Sequence, residues 1–479
     1  MKIALINIQE KEDYGCLPMG IAHIAAHIRK YGNYKDIRII DRENELKAIH
    51  DFQPDIVGIS AVSEQYYSAN KLASEIRKIS SALLIIGGAH ITAMPEQLKN
   101  SNFDLGVIGE GEATFLEFLD YYKENGKLEP RGLKKIRGLV YRDKGKVITT
   151  RRRELIKNLD DVPFPALDLL KMKEKYLVPG PAGAGLIGVR GFLMTSRGCP
   201  YNCIYCGSNT AWGTRGTRWH SAKRVVQDIW KWVKIYGANH FAVYDDLMIA
   251  NKERLRKIVE LLEKEKLTEK IDFELYGRAN VMDDETCRLL KRMKVTSIAF
   301  GLESGSEKIL KYLKKGTVTV EQGKKAVALC KKYGLKVSGL FMIGCPGETE
   351  QDLRETLEFI KSPNLDNVQV YQANPLPGTE LWERAIKDKI IKEDFYEYPE
   401  RGKMLELNPK AILTKEMEKE TFIKWHRIFK NEMERKNFRE DRLILNFGML
   451  RFFISLRFYI KLWKRRKYLP RYVKQVLRL

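Results

Sequence analysis

The chain has 479 residues, 44% of them hydrophobic, and carries a formal net charge of +23. That length exceeds what one hydrophobic core usually holds, so two or three domains are expected and a disordered chain is excluded. No uncharged apolar stretch approaches the roughly 18 residues that span a bilayer. The seven cysteines are an odd number without secreted-type spacing, which excludes a disulfide framework and predicts a cytoplasmic setting.

Residues 1–130 alternate strand and helix signals. Aliphatic runs at 2–8, 37–41, 56–62, 83–87 and 105–108 read as strands, and the first enters without a signal-peptide pattern. Apolar spacing at Ile21, Ile24, Ala25 and Ile28, and at Leu72, Ile76 and Ile79, reads as helices. The alternation predicts a parallel, doubly wound sheet. Such sheets bind ligands beyond the carboxyl ends of their strands. Three small-residue loops fall there, with Ser60, with Gly87, Gly88 and His90, and with Gly109 and Glu110. Small residues let a bulky cofactor approach the backbone, but glycine after a buried strand is also ordinary turn chemistry.

Residues 131–188 read as a linker with a small hairpin at 134–141 and 146–148. Arg151, Arg152 and Arg153 read as a solvated charge run, and 179–188 as a glycine- and proline-rich loop. From 189 to about 400 the alternation returns, with candidate strands at 192–195, 240–244, 271–275, 297–301, 337–343 and 368–372. Six units are too few for a closed eight-fold barrel and predict a partial one, with its chemistry at the carboxyl ends of the strands.

Cys199, Cys203 and Cys206 follow the first of these strands. Thiolates so close together suit zinc or an iron-sulfur cluster. A structural zinc site takes four ligands, and the nearest histidine, His220, is fourteen residues past Cys206. A four-iron cluster on three thiolates leaves one iron open. The pattern Cys199, Cys203, Tyr205, Cys206 resembles the signature of the radical S-adenosylmethionine enzymes, in which that iron chelates S-adenosylmethionine.

The resemblance implies roles for residues after the later strands. Tyr205 would lie against the adenine, and Asp245 would meet the amino group of S-adenosylmethionine. Arg278, Glu303 and Ser304 would contact its carboxylate and ribose, and Gly344 its adenine through the backbone. Each alone equally suits a helix cap or a turn.

The first segment resembles, over nearly its whole length, the cobalamin-binding domain joined to one branch of that family. Ser60, Gly87, Gly88, His90, Gly109 and Glu110 would then line the cofactor. The segment lacks the Asp-x-His-x-x-Gly pattern of cobalt-ligating domains, because Gly88 stands where that aspartate would be. His90 is therefore expected as a loop residue near the corrin, not as a ligand. Cys16 reads as a free apolar thiol. The expected fold is α/β: a doubly wound, Rossmann-like cobalamin domain (1–130), the linker, a partial (β/α)6 TIM-like barrel (189–400) and a helical, basic extension (401–479).

The implied chemistry is reductive cleavage of S-adenosylmethionine to a 5'-deoxyadenosyl radical, hydrogen abstraction from an unactivated carbon, and methyl transfer from methylcobalamin. Ferredoxin or flavodoxin would donate the electron. Two alternatives stay open: radical cyclisation or oxidation without methyl transfer, as in anaerobic cyclases, and a cobalamin or redox sensor without turnover. A methylthiotransferase fits less well, because that family usually has three amino-terminal cysteines and this segment has only Cys16.

In the extension, 417–435 reads as a helix with Phe422, Trp425, Ile428 and Phe429 on a packing stripe. Residues 443–479 hold ten Lys or Arg and no Asp or Glu, with aromatics and leucines between them. That pattern fits a capping helix or an amphipathic helix at an anionic membrane surface, the latter pointing to a lipid-like substrate. Nucleic acid is not expected as a partner, since no recognition module is visible.

Overall fold

The computed structural model describes residues 1–8, 17–172, 176–177, 189–397 and 407–452, with side chains as far as residue 437. Cys16, the whole loop 179–188 and the basic tail from 453 onwards lie outside the described residues.

The first sheet contains β1 (Ile3–Asn7), β2 (Ile37–Ile40), β3 (Ile56–Ser60), β4 (Leu83–Gly87), β5 (Leu105–Val107), β6 (Leu139–Asp143) and β7 (Lys146–Thr149), ordered 2-1-3-4-5-6-7. Strands β1 to β5 are parallel. Helices α1 (Met19–Tyr31), α2 (Glu45–Phe52), α3 (Tyr66–Ile76), α4 (Ala89–Ala93) and α5 (Gly111–Asn125) connect them. The strands are aliphatic on both sides because both faces are covered. Ile3, Leu5, Ile56 and Ile85 enter one core, while Ala4, Ile6, Val57 and Ile86 enter the other. The order reverses between β1 and β3, which places a doubly wound sheet's binding crevice beside Ser60. The hairpin expected in the linker continues this sheet: β6 pairs antiparallel with β5, Leu105 facing Tyr141.

The second sheet is a row of six parallel strands: β8 (Arg190–Leu193), β11 (His240–Val243), β12 (Asp272–Gly277), β13 (Val295–Glu303), β14 (Lys336–Ile343) and β15 (Asn367–Gln372). Between the first two, β9 (Ser196–Arg197) and β10 (Arg218–Trp219) form a short antiparallel pair. The helices are α6 (Ser208–Trp212), α7 (Ala222–Tyr236), α8 (Lys252–Lys264), α9 (Asp284–Met293), α10 (Glu307–Lys314), α11 (Val320–Lys332), α12 (Glu350–Lys361) and α13 (Glu380–Lys387). Ser221, Asn251, Asp283, Ser306, Thr319, Thr349 and Thr379 each accept an amide hydrogen bond at a helix start. These caps set where each loop ends, and so where the loop side chains point.

The sheet is open, with β8 and β15 at its edges. The final helix, α14 (Lys419–Phe452), covers the β15 edge. Asn437 occupies both backbone groups of Val368, accepting from its N–H at 3.0 Å and donating to its carbonyl at 2.9 Å. That satisfies part of an edge otherwise open to strand addition. Phe422, Trp425 and Phe429 are buried as the helical spacing predicts, but Ile428 is 43% exposed. The expected four-residue stripe is therefore three residues wide, because Ile428 falls on the solvent side of the turn. No described helix is long and apolar enough to cross a membrane.

Candidate functional site

Cys199, Cys203 and Cys206 sit on the loop between β9 and α6. Burial pushes the Cys199 thiol up, and that of Cys206 up to about 12, so a metal held there would have to displace protons. Arg278, beyond β12, donates from Nη1 to Cys203 Sγ at 3.3 Å and stacks on Tyr201 at 3.8 Å. A guanidinium at that distance would be an outer-shell partner of a cluster held on this cysteine. Among the described residues, no three His, Cys, Asp or Glu side chains form a site for a single metal ion. A four-iron cluster takes one thiolate per iron and does not need that convergence. The other described cysteines, Cys287, Cys330 and Cys345, are buried, two on helices and one in the loop after β14.

Of the positions assigned to S-adenosylmethionine, Tyr205, Arg278 and Glu303 gather at this loop. The Tyr205 hydroxyl donates to Glu303 Oε1 at 2.7 Å. Lys314 Nζ stands 3.2 Å from the same oxygen and donates to the Gly301 carbonyl. Glu303 has φ +62, a conformation a non-glycine residue keeps only when its surroundings enforce it.

Asp245, Ser304 and Gly344 are each held by protein partners. Asp245 is buried, and its oxygens accept from Thr195 N at 2.5 Å, Thr195 Oγ1 at 2.5 Å and Ser196 Oγ at 2.6 Å. It ties the end of β11 to the chain entering the cysteine loop. Its neighbour Asp246 faces that loop instead, accepting from Ser208 and from Trp212 Nε1. Ser304 is fully buried against Thr356. The Gly344 N–H is taken by the Glu348 carboxylate at 2.5 Å, and a Cβ on Gly344 would lie 2.7 Å from the Phe422 ring. Glu348 is itself buried, and burial raises it to about 8.

The cobalamin positions also divide. Nothing lies within 4 Å of where a Cβ would sit on Gly109, and only the Val107 carbonyl, at 3.9 Å, does so at Gly87. With Ser60 they edge the crevice at the strand ends, and their open backbone fits a broad, flat ligand. Gly88 meets a different demand: φ is +98, and a Cβ would lie 2.6 Å from the Ala61 carbonyl, so glycine lets two loops meet. His90 is not a loop residue. It lies in α4, fully buried, stacked 4.1 Å from Tyr66, with Nδ1 facing Ser63 Oγ and Nε2 facing Gln97 Oε1. Both ring nitrogens face protein, so the ring supports the loops from beneath.

Glu110 is likewise held by protein, in a network with Arg197, Arg218 and Glu112 that no local sequence pattern singles out. Its carboxylate accepts from Arg197 Nη1 at 2.6 Å, Arg218 Nη1 at 2.9 Å and the Ile156 amide at 2.9 Å. Arg197 Nη2 reaches Glu112 Oε1 at 2.6 Å. The Arg197, Glu110 and Glu112 side chains are each only 5–6% exposed. Burial alone would raise Glu112, but Arg197 holds it down at about 2. Beside them His23 donates toward the Pro163 carbonyl, and burial, reinforced by Arg197, lowers it to about 3. The only local signal was an arginine two residues before the first cysteine. Its partners lie 85 and 87 residues away in the other domain.

Residues 193–360 match the Radical SAM superfamily, and residues 12–119 match the B12 binding domain. An uncharacterized methyltransferase of Pyrococcus horikoshii is 36% identical over 385 residues, covering 78% of this chain and 79% of the relative. An anaerobic magnesium-protoporphyrin IX monomethyl ester cyclase of Cereibacter sphaeroides is 26% identical, covering 80% of this chain and 62% of that one. Among solved structures, the fold is shared with the radical S-adenosylmethionine methyltransferase TsrM of Kitasatospora setae. The TM-score is 0.68 at 18% identity, over 82% of this chain and 77% of that one.

Proposed function

The chain belongs to the radical S-adenosylmethionine superfamily, in the group carrying an amino-terminal cobalamin-binding domain, and on that premise we propose that it methylates an unactivated carbon of a hydrophobic, lipid-like substrate. The protein is an enzyme whose cofactors are a four-iron cluster, S-adenosylmethionine and cobalamin. When bound, these supply the radical that opens a C–H bond and the methyl group that replaces the hydrogen.

The protein's own residues have positioning roles. Cys199, Cys203 and Cys206 would hold the cluster, and Arg278 would steady the Cys203 thiolate. Tyr205, braced by Glu303 and Lys314, would form the wall toward S-adenosylmethionine. Ser60, Gly87 and Gly109 would seat the corrin. The observation that supports the reading is the ion pair of Arg197 and Glu110, which joins the segment just before Cys199 to the loop after β5.

The hydrophobic substrate rests on the basic, aromatic tail, which also supports a cytoplasmic enzyme working at the inner membrane surface. A ferredoxin or flavodoxin is the proposed reductant. The test is anaerobic incubation of the reconstituted enzyme with reductant, methyl-labelled S-adenosylmethionine and a membrane-lipid fraction. Label should enter a lipid product alongside 5'-deoxyadenosine. Deoxyadenosine with a converted but unlabelled product would replace methylation with the cyclase-type reading, which the similarity to the anaerobic cyclase favours.

A further inference from the structure

We propose that Arg197 is a positioning residue that sets the separation between the cluster and cobalamin. The proposal rests on the reading that the cluster sits on Cys199, Cys203 and Cys206 and the corrin on the loops after β3, β4 and β5.

Arg197 stands two residues before the first of these cysteines, and Glu110 directly follows Gly109 of the open cradle. The guanidinium divides its nitrogens between Glu110 and Glu112, each at 2.6 Å, so both its position and its plane are fixed. Arg218, on the strand paired with that of Arg197, grips Glu110 from the other side at 2.9 Å. Both strands of the small β9–β10 pair therefore hold one carboxylate of the other domain. Trp212, in the helix after the cysteines, lies over the Arg197 guanidinium at 5.6 Å.

Arg197 and Cys199 are separated by a single residue. Gly198, between them, has φ +91, and a Cβ there would collide with the Gly216 carbonyl. The turn is thus packed against the segment that leads into β10. Glu110 is held on its own side, because it also accepts the Ile156 amide and stands at the N-cap of α5. Other contacts join the domains, such as Gln97 Nε2 to the Glu393 carbonyl and Asn374 Nδ2 to Glu64, but these hold the loop after β15 and the segment beyond α13. Among the described residues, the Arg197 network is what ties the cysteine loop to the cradle loop by buried charge.

The experiment uses the full chain loaded with cluster and cobalamin and reads the dipolar coupling between reduced cluster and cob(II)alamin by pulsed electron paramagnetic resonance. Wild type should give one narrow distance distribution. In Arg197→Ala it should shift or broaden by about twofold, as the domains regain the relative motion usual for two-domain chains. Arg197→Lys should fall between, since a point charge cannot serve two carboxylates with fixed geometry.

Arg197→Ala leaves Glu112 buried without its arginine and Glu110 with only Arg218 and the Ile156 amide, and can fail to fold. The triple variant Arg197→Ala, Glu110→Gln, Glu112→Gln removes both charges with the arginine and should show the same broadening. An unchanged, narrow distribution in the triple variant would overturn the proposal. A wild-type chain that binds no cluster or no cobalamin would instead overturn the reading on which it rests.

Discussion

Replacing Asp245 separates a structural carboxylate from a cofactor-binding one. The side chain is 3% exposed and accepts three hydrogen bonds, one from a backbone amide and two from hydroxyls. In Asp245→Asn the amide oxygen can keep the Thr195 N–H, and the Thr195 and Ser196 hydroxyls can rotate to accept from the new NH2. What is lost is the charge assistance on three bonds, set against relief from burying a carboxylate, which already raises the Asp245 pKa. The net cost should be about 1–2 kcal/mol. Asp245→Ala instead leaves the Thr195 N–H without an acceptor at about 1–3 kcal/mol and forfeits two hydroxyl bonds of about 1 kcal/mol each. The total is about 4 kcal/mol, or a fall of roughly 10 °C in the barrel's melting transition.

The assay pairs differential scanning calorimetry with equilibrium dialysis of S-adenosylmethionine on the reconstituted enzyme. Asp245→Asn should lose stability and retain S-adenosylmethionine affinity within about twofold, well under the tenfold that 1.4 kcal/mol of lost contact would cause. If it melts like wild type and loses affinity tenfold or more, the carboxylate serves the cofactor and the structural assignment is wrong.

His23 titrates at 6.5 in the unfolded chain and at about 3 in the folded one, so folding favours its neutral form. Its contribution is complete above pH 6.5 and is lost as pH falls toward 3, at about 1.4 kcal/mol per pH unit. Urea unfolding at pH 7 and pH 5 should therefore differ by about 2 kcal/mol more in wild type than in His23→Leu; equal differences would refute this. Gly88→Ala forces a side chain into φ +98 and against the Ala61 carbonyl, and should destabilise the first domain by about 2–3 kcal/mol in chemical denaturation. Cys199→Ala, Cys203→Ala and Cys206→Ala should each lower bound iron and sulfide and bleach the cluster absorbance. Full iron content in any one would remove that cysteine from the ligand set.

The sequence by itself determined what depends on near neighbours. The run of aliphatic strands and amphipathic helices specifies two α/β units, since burial on both faces demands continuous apolar strands and a 3.6-residue period demands helices. Three cysteines within eight residues predict a metal-binding loop from spacing alone. Glycine positions were legible, but not their purposes: Gly109 leaves open space whereas Gly88 answers a backbone collision, and only the approach of the β3 and β4 loops distinguishes them.

The tertiary structure alone decided which polar side chains remain available. Asp245 and Asp246 are adjacent and chemically identical, yet one is consumed by Thr195 and Ser196 while the other faces the cysteine loop. Glu110 lies in a cofactor-type loop, and its carboxylate is spent on Arg197, 87 residues away. A charge's partner is set by where separate elements dock, and no local spacing records that. The two domains are joined through charges that are stable in the interior only as a network, because each alone would carry a desolvation penalty that its partners offset.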